Sequence, residues 1–223
     1  MEPLWGTGEI MAVVFSPDCN AIASSSQDGT IIIWDLWQGR RPIGPLCGHD
    51  KLVWSISFSP DGQWIVSGSE DKTVTVWNVQ KGFLALGPLK MHEQAVLFVA
   101  FSFDGSKIIS GSQEGNFCYW DVATGALVSG PSSMHSKTLL TGVFMPGCGF
   151  VMVSPNGEWM ATRYPGESFV VWSSEAGLPG KVFTGHTDFV WHVAFSLDSK
   201  RIASSSSDKT IRVHTINRKS MGL

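Results

Sequence analysis

With 223 residues, 43% of them hydrophobic and 16% charged, the chain is long enough to bury a substantial core, either as one large all-β domain or as two small ones. A net charge of -3, with no basic cluster larger than a pair such as Arg218-Lys219, gives a weak footprint for phosphates and argues against nucleic acid as the primary partner. Apolar runs such as Ala95 to Phe101 fall far short of the roughly 20 residues of a membrane-spanning helix, and no basic-then-apolar leader opens the sequence, so no membrane contact and a cytoplasmic or nuclear location are expected.

Taken in order, the chain reads as five copies of one unit, approximately 6–46, 47–89, 90–132, 133–183 and 184–223, within a single domain spanning 1–223. In the first copy an apolar strand ends at Phe15, a second carries Ser24 to Ser26, and a third ends on Trp34. The second copy is the clearest: Gly48-His49, apolar positions Val53, Ile56 and Phe58, a Ser59-Pro60-Asp61-Gly62 turn, Ile65 to Ser69, then Asp71-Lys72-Thr73 and Val74 to Asn78. Runs of Val, Ile, Thr and aromatics separated by such turn residues predict short antiparallel strands joined by hairpins, with an outer strand through Phe83, Leu84 and Leu86. The third copy repeats this with Phe101, Ser110 and Trp120. The fourth has Val153, Trp159, Thr162 and Trp172, and nine extra residues before its first strand predict a long loop over 138–150. The fifth has Phe195, a serine run at Ser204 to Ser207, and His214 where the other copies have Trp.

Two columns fix the period. Trp34, Trp77, Trp120, Trp172 and His214 are spaced 43, 43, 52 and 42 apart, and Phe15, Phe58, Phe101, Val153 and Phe195 have the same intervals. Spacings near 43 are those of one propeller blade. Gly48-His49, Phe58 to Gly62, Ser67-Gly68-Ser69, Asp71, Trp77-Asn78, Trp34-Asp35 and Trp120-Asp121 resemble the WD40 repeat, and the match covers nearly the whole chain. The recurrent Ser-Pro-Asp-Gly and Gly-Pro-Leu phrases are similar to the repeats of fungal NACHT/WD-repeat proteins. The resemblance implies an all-β, WD40-type β-propeller of five four-stranded antiparallel blades, each repeat supplying the outer strand of one blade and the inner three of the next. Independently, one small sheet cannot bury both of its faces and must stack on neighbours. Pro3-Leu4-Trp5-Gly6 is similar to Pro45-Leu46-Cys47-Gly48, so the N-terminus is expected to supply the outer strand that the last blade lacks. Five blades are few for this family, and a small closed ring, a truncated array and an oligomerising ring remain open.

The resemblance further implies a structural chain of hydrogen bonds through His, Ser or Thr, Asp and Trp in each blade. The second copy has all four, His49, Ser67, Asp71 and Trp77, and an indole N–H, which only donates, suits the end of such a relay. The third has His92, Ser110, Glu114 in place of Asp, and Trp120; the first has Ser24, Asp28 and Trp34 without a His; the fifth has His186, Ser204 and Asp208; in the fourth, Gly166 occupies the Asp position.

No catalytic constellation is expected. Gly6-Thr7-Gly8 lacks the third glycine of a dinucleotide fingerprint, and the segment after His92-Glu93 lacks the second His of a zinc motif. Cys19, Cys47, Cys118 and Cys148 lack the paired spacing of a metal site, so neither metal nor cofactor is expected. His49, Ser67 and Asp71 have the residue types of a catalytic triad, but a constellation repeated at blade spacing is what scaffolding predicts.

The function expected is that of a non-catalytic scaffold for protein partners, with no nucleic acid or membrane partner, and with self-association if the ring is incomplete. The alternative is an enzyme or small-ligand binder using a central channel. The family resemblance points to the face carrying the loops before the first strand and after the second. By register its candidates are Leu52, Trp54 and Glu70; Leu97 and Gln113; Phe189, Trp191 and Ser207; and, less prominently, Glu9, Met11, Gln27, Ala95, Thr138, Leu140 and Pro165. Alternation turns Trp54 and Trp191 away from the core-facing Val53 and Val190, which leaves them either on a binding face or packed between blades.

Overall fold

A computed structural model describes residues 6–36, 43–102, 104–113, 115–133, 151–156, 158–164, 167–173 and 181–217. Residues 1–5, on which the expected closing strand falls, and the loop 138–150 lie outside the described residues, as do Glu114, Pro165 and Gly166.

Among the described residues there is no helix, and five antiparallel sheets follow one another along the chain. The first holds β1 (Ile10–Phe15), β2 (Ala21–Ser26), β3 (Ile31–Asp35) and β4 (Ile43–Leu46). The second holds β5 (Val53–Phe58), β6 (Trp64–Ser69), β7 (Thr73–Asn78) and β8 (Phe83–Lys90). The third holds β9 (Val96–Phe101), β10 (Lys107–Ser112), β11 (Asn116–Asp121) and β12 (Leu127–Ser133). The fourth holds β13 (Val151–Val153), β14 (Trp159–Tyr164), β15 (Ser168–Ser173) and β16 (Lys181–Phe183). The last holds β17 (Val190–Phe195), β18 (Arg201–Ser206) and β19 (Ile211–Thr215). The last sheet therefore has three described strands where four were expected. The chain divides into two compact units, Met1–Ser133 with the first three sheets and Met134–Leu223 with the last two.

The first hairpin of every sheet is closed by the same device. The Ser hydroxyl of the Ser-x-Asp turn donates to the carboxylate two residues on, at 2.6 Å for Ser16–Asp18, Ser59–Asp61 and Ser102–Asp104 and 2.5 Å for Ser196–Asp198. In the fourth sheet Ser154 donates to the amide oxygen of Asn156 at 2.7 Å. The same serine oxygen accepts the backbone N–H that opens the second strand, for example Trp64 N–H at 2.9 Å. This local side-chain bonding is why Ser, Asp and Asn recur there.

Within each unit, sheets stack through two faces. In the first unit Ala23, Ile31, Ile33 and Leu46 of the first sheet enclose Val53, Ile56 and Phe58 of the second. One period later Val66, Val74, Val76 and Leu89 enclose Val96, Val99 and Phe101 of the third. In the second unit Ala161, Phe169, Val171 and Phe183 enclose Val190 and Val193, with Phe195 against them. The approach is close: a Cβ at Gly68 would lie 2.6 Å from the Val96 Cγ1, so this position of β6 has no room for a side chain.

Candidate functional site

The most ordered polar cluster in the first unit is built across β5, β6 and β7. Trp77 Nε1 donates to Ser67 Oγ at 2.7 Å; Ser67 Oγ lies 2.7 Å from His49 Nε2; and His49 Nδ1 lies 2.7 Å from Asp71 Oδ2. Because the indole can only donate and the carboxylate only accept, the relay runs from Trp77 through the Ser67 hydroxyl to His49 Nε2, and from His49 Nδ1–H to Asp71. Thr73 Oγ1 donates to Asp71 Oδ1 at 2.6 Å and lies 3.2 Å from His49 Nδ1, making a fifth member. Burial pushes the Asp71 carboxyl up, but the hydrogen bonds of His49 and Thr73 outweigh it and hold the group well below the usual carboxylate range. Ser67 is completely buried, so its hydroxyl meets indole and imidazole and presents no nucleophile to a substrate.

The same arrangement recurs with substitutions. In the third sheet Ser110 Oγ is shared by His92 Nε2 at 2.7 Å and Trp120 Nε1 at 2.8 Å. In the first sheet Trp34 Nε1 reaches Ser24 Oγ at 3.1 Å, and on the carboxylate side Thr7 Oγ1 lies 2.6 Å from Thr30 Oγ1. Burial of Asp28 is outweighed by hydrogen bonds from Thr30 and Thr7, which lower its carboxyl to about 2. In the last sheet His186 bridges Ser204 Oγ and Asp208 Oδ2, each at 2.8 Å, and Thr210 donates to Asp208 Oδ1 at 2.6 Å. The Thr210 bond, opposed by burial and assisted by His186, keeps Asp208 well below the usual range. His214 sits in the register position of Trp77, opposite Ile202 as Trp77 is opposite Ile65, but it does not reach Ser204. Its ring instead meets Phe169 and Phe183 edge-on, with centroids at 5.8 and 4.9 Å, and its buried Nε2 has no hydrogen-bond partner among the described residues. Thr30, Thr73 and Thr210 could have been found from the recurring Asp-x-Thr spacing; Thr7 has no counterpart to announce it.

The candidate binding residues lie where the first strand of each sheet begins. Backbone bonds tie them in pairs across the two loops: Gln27 N–H to Glu9 C=O, Glu70 N–H to Leu52 C=O, Gln113 N–H to Ala95 C=O, and Ser207 N–H to Phe189 C=O, at 2.8 to 2.9 Å. Next to each pair the ladder skips one residue of the first strand, and the skipped residues are Met11, Trp54, Leu97 and Trp191. Plain alternation is therefore not what orients the two tryptophans. Each is the extra residue of a β-bulge, which re-aims its side chain, and the core positions accordingly fall at Val53, Ile56 and Phe58 instead of every second residue.

The bulged tryptophans then differ. Trp191 is 57% exposed; its Nε1 donates to Ser207 Oγ at 2.7 Å and its ring meets Phe189 edge-on at 4.8 Å. Trp54 and its neighbours Leu52 and Leu97 are half-buried, and the Trp54 Nε1 is buried without a partner among the described residues. Glu70 and Gln113 are exposed, Ala95 is buried, and Thr138, Leu140 and Pro165 lie outside the described residues.

Consecutive antiparallel sheets that stack through matched apolar faces, two of them holding a complete hydroxyl–imidazole–carboxylate relay, are blades of the propeller type. The chain matches the family model of the WD domain, G-beta repeat, over residues 4–35, 40–78, 85–121 and 177–215, well over half its length, and it belongs to the WD40 repeat family. Three of these spans begin within β8 or a few residues before β4 or β16, and end with the third strand of the following sheet. Members of this family serve in general as protein-interaction scaffolds and are generally non-enzymatic. A search of curated proteins finds no match.

Proposed function

We propose that this chain is a non-catalytic scaffold that docks a protein partner on the bulge-bearing edge of its blades. The observation that carries this reading is Trp191: a large aromatic, more than half exposed, held in one orientation by Ser207 and Phe189. A rigid exposed aromatic beside a polar rim is the composition of an interface hot spot. In the first unit Leu52, Trp54, Glu70, Leu97 and Gln113 hold the corresponding positions and are proposed as a contact set of that unit's own. The free thiols Cys19, Cys47 and Cys118 go with a reducing compartment, cytoplasmic or nuclear.

The test is crosslinking mass spectrometry on the full chain to identify the partner, followed by titration of variants. Trp191→Ala is expected to weaken binding by roughly 2 kcal/mol, about thirtyfold, with little change in melting. Trp54→Ala should weaken it less, because less of that ring is presented. Crosslinks confined to β8 around Phe83 to Leu86, with both variants binding normally, would overturn the assignment.

A further inference from the structure

The second and third sheets seat against each other incompletely at the strand ends opposite the bulges. In the second unit the matching seat is shut: Trp159, which opens β14, and Ile216, which follows β19, are 3% and 2% exposed and share one core cluster. Trp64 opens β6 as Trp159 opens β14, and Val122 matches Ile216, since the Val122 N–H bonds the Ser106 carbonyl as the Ile216 N–H bonds that of Lys200. Trp64 and Val122 are nevertheless only half-buried. They wall a cavity of about 450 Å³ together with Val76 and Leu86, and Ser106 and Asp121 stand in its lining as the polar side chains. Every lining residue falls in the first unit. The volume is that of a small-molecule site.

The charge in this cavity has one sign. Asp121 Oδ1 accepts the Thr124 N–H at 2.9 Å and the Thr124 hydroxyl at 2.7 Å, and no further hydrogen bond reaches the carboxylate among the described residues. These bonds hold the Asp121 carboxyl below the usual carboxylate range, so it is an anion at neutral pH. Lys107, opposite Asp121 in the ladder, forms no ion pair with it among the described residues. The Ser106 hydroxyl is spent on Asp104, at 2.9 and 2.8 Å from its two oxygens, which sets a second carboxylate beside the same edge. No cation stands in the lining.

We propose that this cavity binds a small amphiphilic amine, its aromatic or branched aliphatic body against Trp64, Val76, Leu86 and Val122 and its ammonium on Asp121. Burial of the body against apolar walls supplies the attraction, and the free carboxylate oxygen supplies a charge-assisted hydrogen bond. A ligand carboxylate in the same place would meet Asp121 and Asp104 as like charges, so the site selects by sign. It lies away from the bulge-bearing edge and does not depend on the partner proposed there.

Saturation-transfer NMR titrations of the full chain with phenethylamine and with 3-phenylpropanoate test this, because the two probes share a body and differ in charge. Phenethylamine is expected to bind saturably and the acid at least about tenfold more weakly. Asp121→Asn keeps an oxygen for the Thr124 bonds and removes the charge; it should raise the dissociation constant of phenethylamine at least about tenfold with unchanged melting. Ala123→Trp, at an exposed position of the lining, should block the cavity and abolish binding. Absence of saturable phenethylamine binding, equal affinity for the acid, or binding that survives both variants undiminished would overturn the proposal.

Discussion

The second and the last sheets contain nearly the same polar relay and end in different surroundings. His49, Ser67, Asp71 and Thr73 superpose by register on His186, Ser204, Asp208 and Thr210, with bond lengths equal to within 0.1 Å. Beyond the relay they part. Trp77 completes the second network and is 1% exposed, whereas His214 turns to Phe169 and Phe183 and leaves Ser204 without an indole donor. Val74 and Val76 are buried by the third sheet, whereas Ile211 and Val213 face solvent. The relay is a property of one repeat, written in residues within 30 positions of one another. Burial is a property of a pair of sheets, and identical positions gain or lose it with the neighbour.

Removing the terminal indole should break the comparison most. Trp77→Ala deletes a fully buried aromatic and takes away the N–H that Ser67 Oγ accepts, an expected loss of about 3–5 kcal/mol in urea unfolding. His214→Ala should cost well under half of that, since its ring is only partly buried and bonds nothing in the relay. Equal losses would mean that the two positions are equivalent after all.

Next in size is the carboxylate. Asp71→Ala should destabilise by about 1–3 kcal/mol, because it takes the acceptor from His49 and from the backbone N–H groups of Asp50 and Thr73. Since the folded-state pKa lies below the ordinary 3.8, the stabilisation from this group is present above 3.8 and lost as pH falls below it. Thermal unfolding of Asp71→Asn should therefore show a shallower acid limb than the unmodified chain. Asp208→Asn should flatten it in the same direction. An unchanged acid limb in both would exclude the relay as the source.

The smallest expected effect sharpens the comparison at His214. Burial disfavours its charged form, and Arg212, His186 and Lys181 add repulsion, so its imidazole titrates below the ordinary 6.5. A folded pKa below the unfolded one means that this contribution is complete above 6.5 and lost as pH falls through and beneath that value. His214→Phe should melt with a weaker dependence on pH between 7 and 5 than the unmodified chain. A matching slope would place the titration elsewhere.

Much of this molecule is legible without coordinates. Strand order, the Ser-x-Asp turns, the relay members and the two columns are decided within single repeats, by side chains bonding backbone a few residues away and by turn chemistry repeated at fixed intervals. The bulge is missed when strict alternation is assumed, although the three-then-two spacing of Val53, Ile56 and Phe58 departs from it. Other features were settled only by contact between sheets. Trp54 and Trp191 occupy one column and have different exposures, the second 57% exposed with its Nε1 on Ser207 and the first half-buried. Thr7 joins the Asp28–Thr30 pair because the fold brings it beside Thr30, 23 residues away. Ile10, Val13 and Phe15 read as core by every local rule, and only packing against a preceding sheet could have made them so; hydrophobic burial belongs to the pair of surfaces, and a single sequence position determines just one of them.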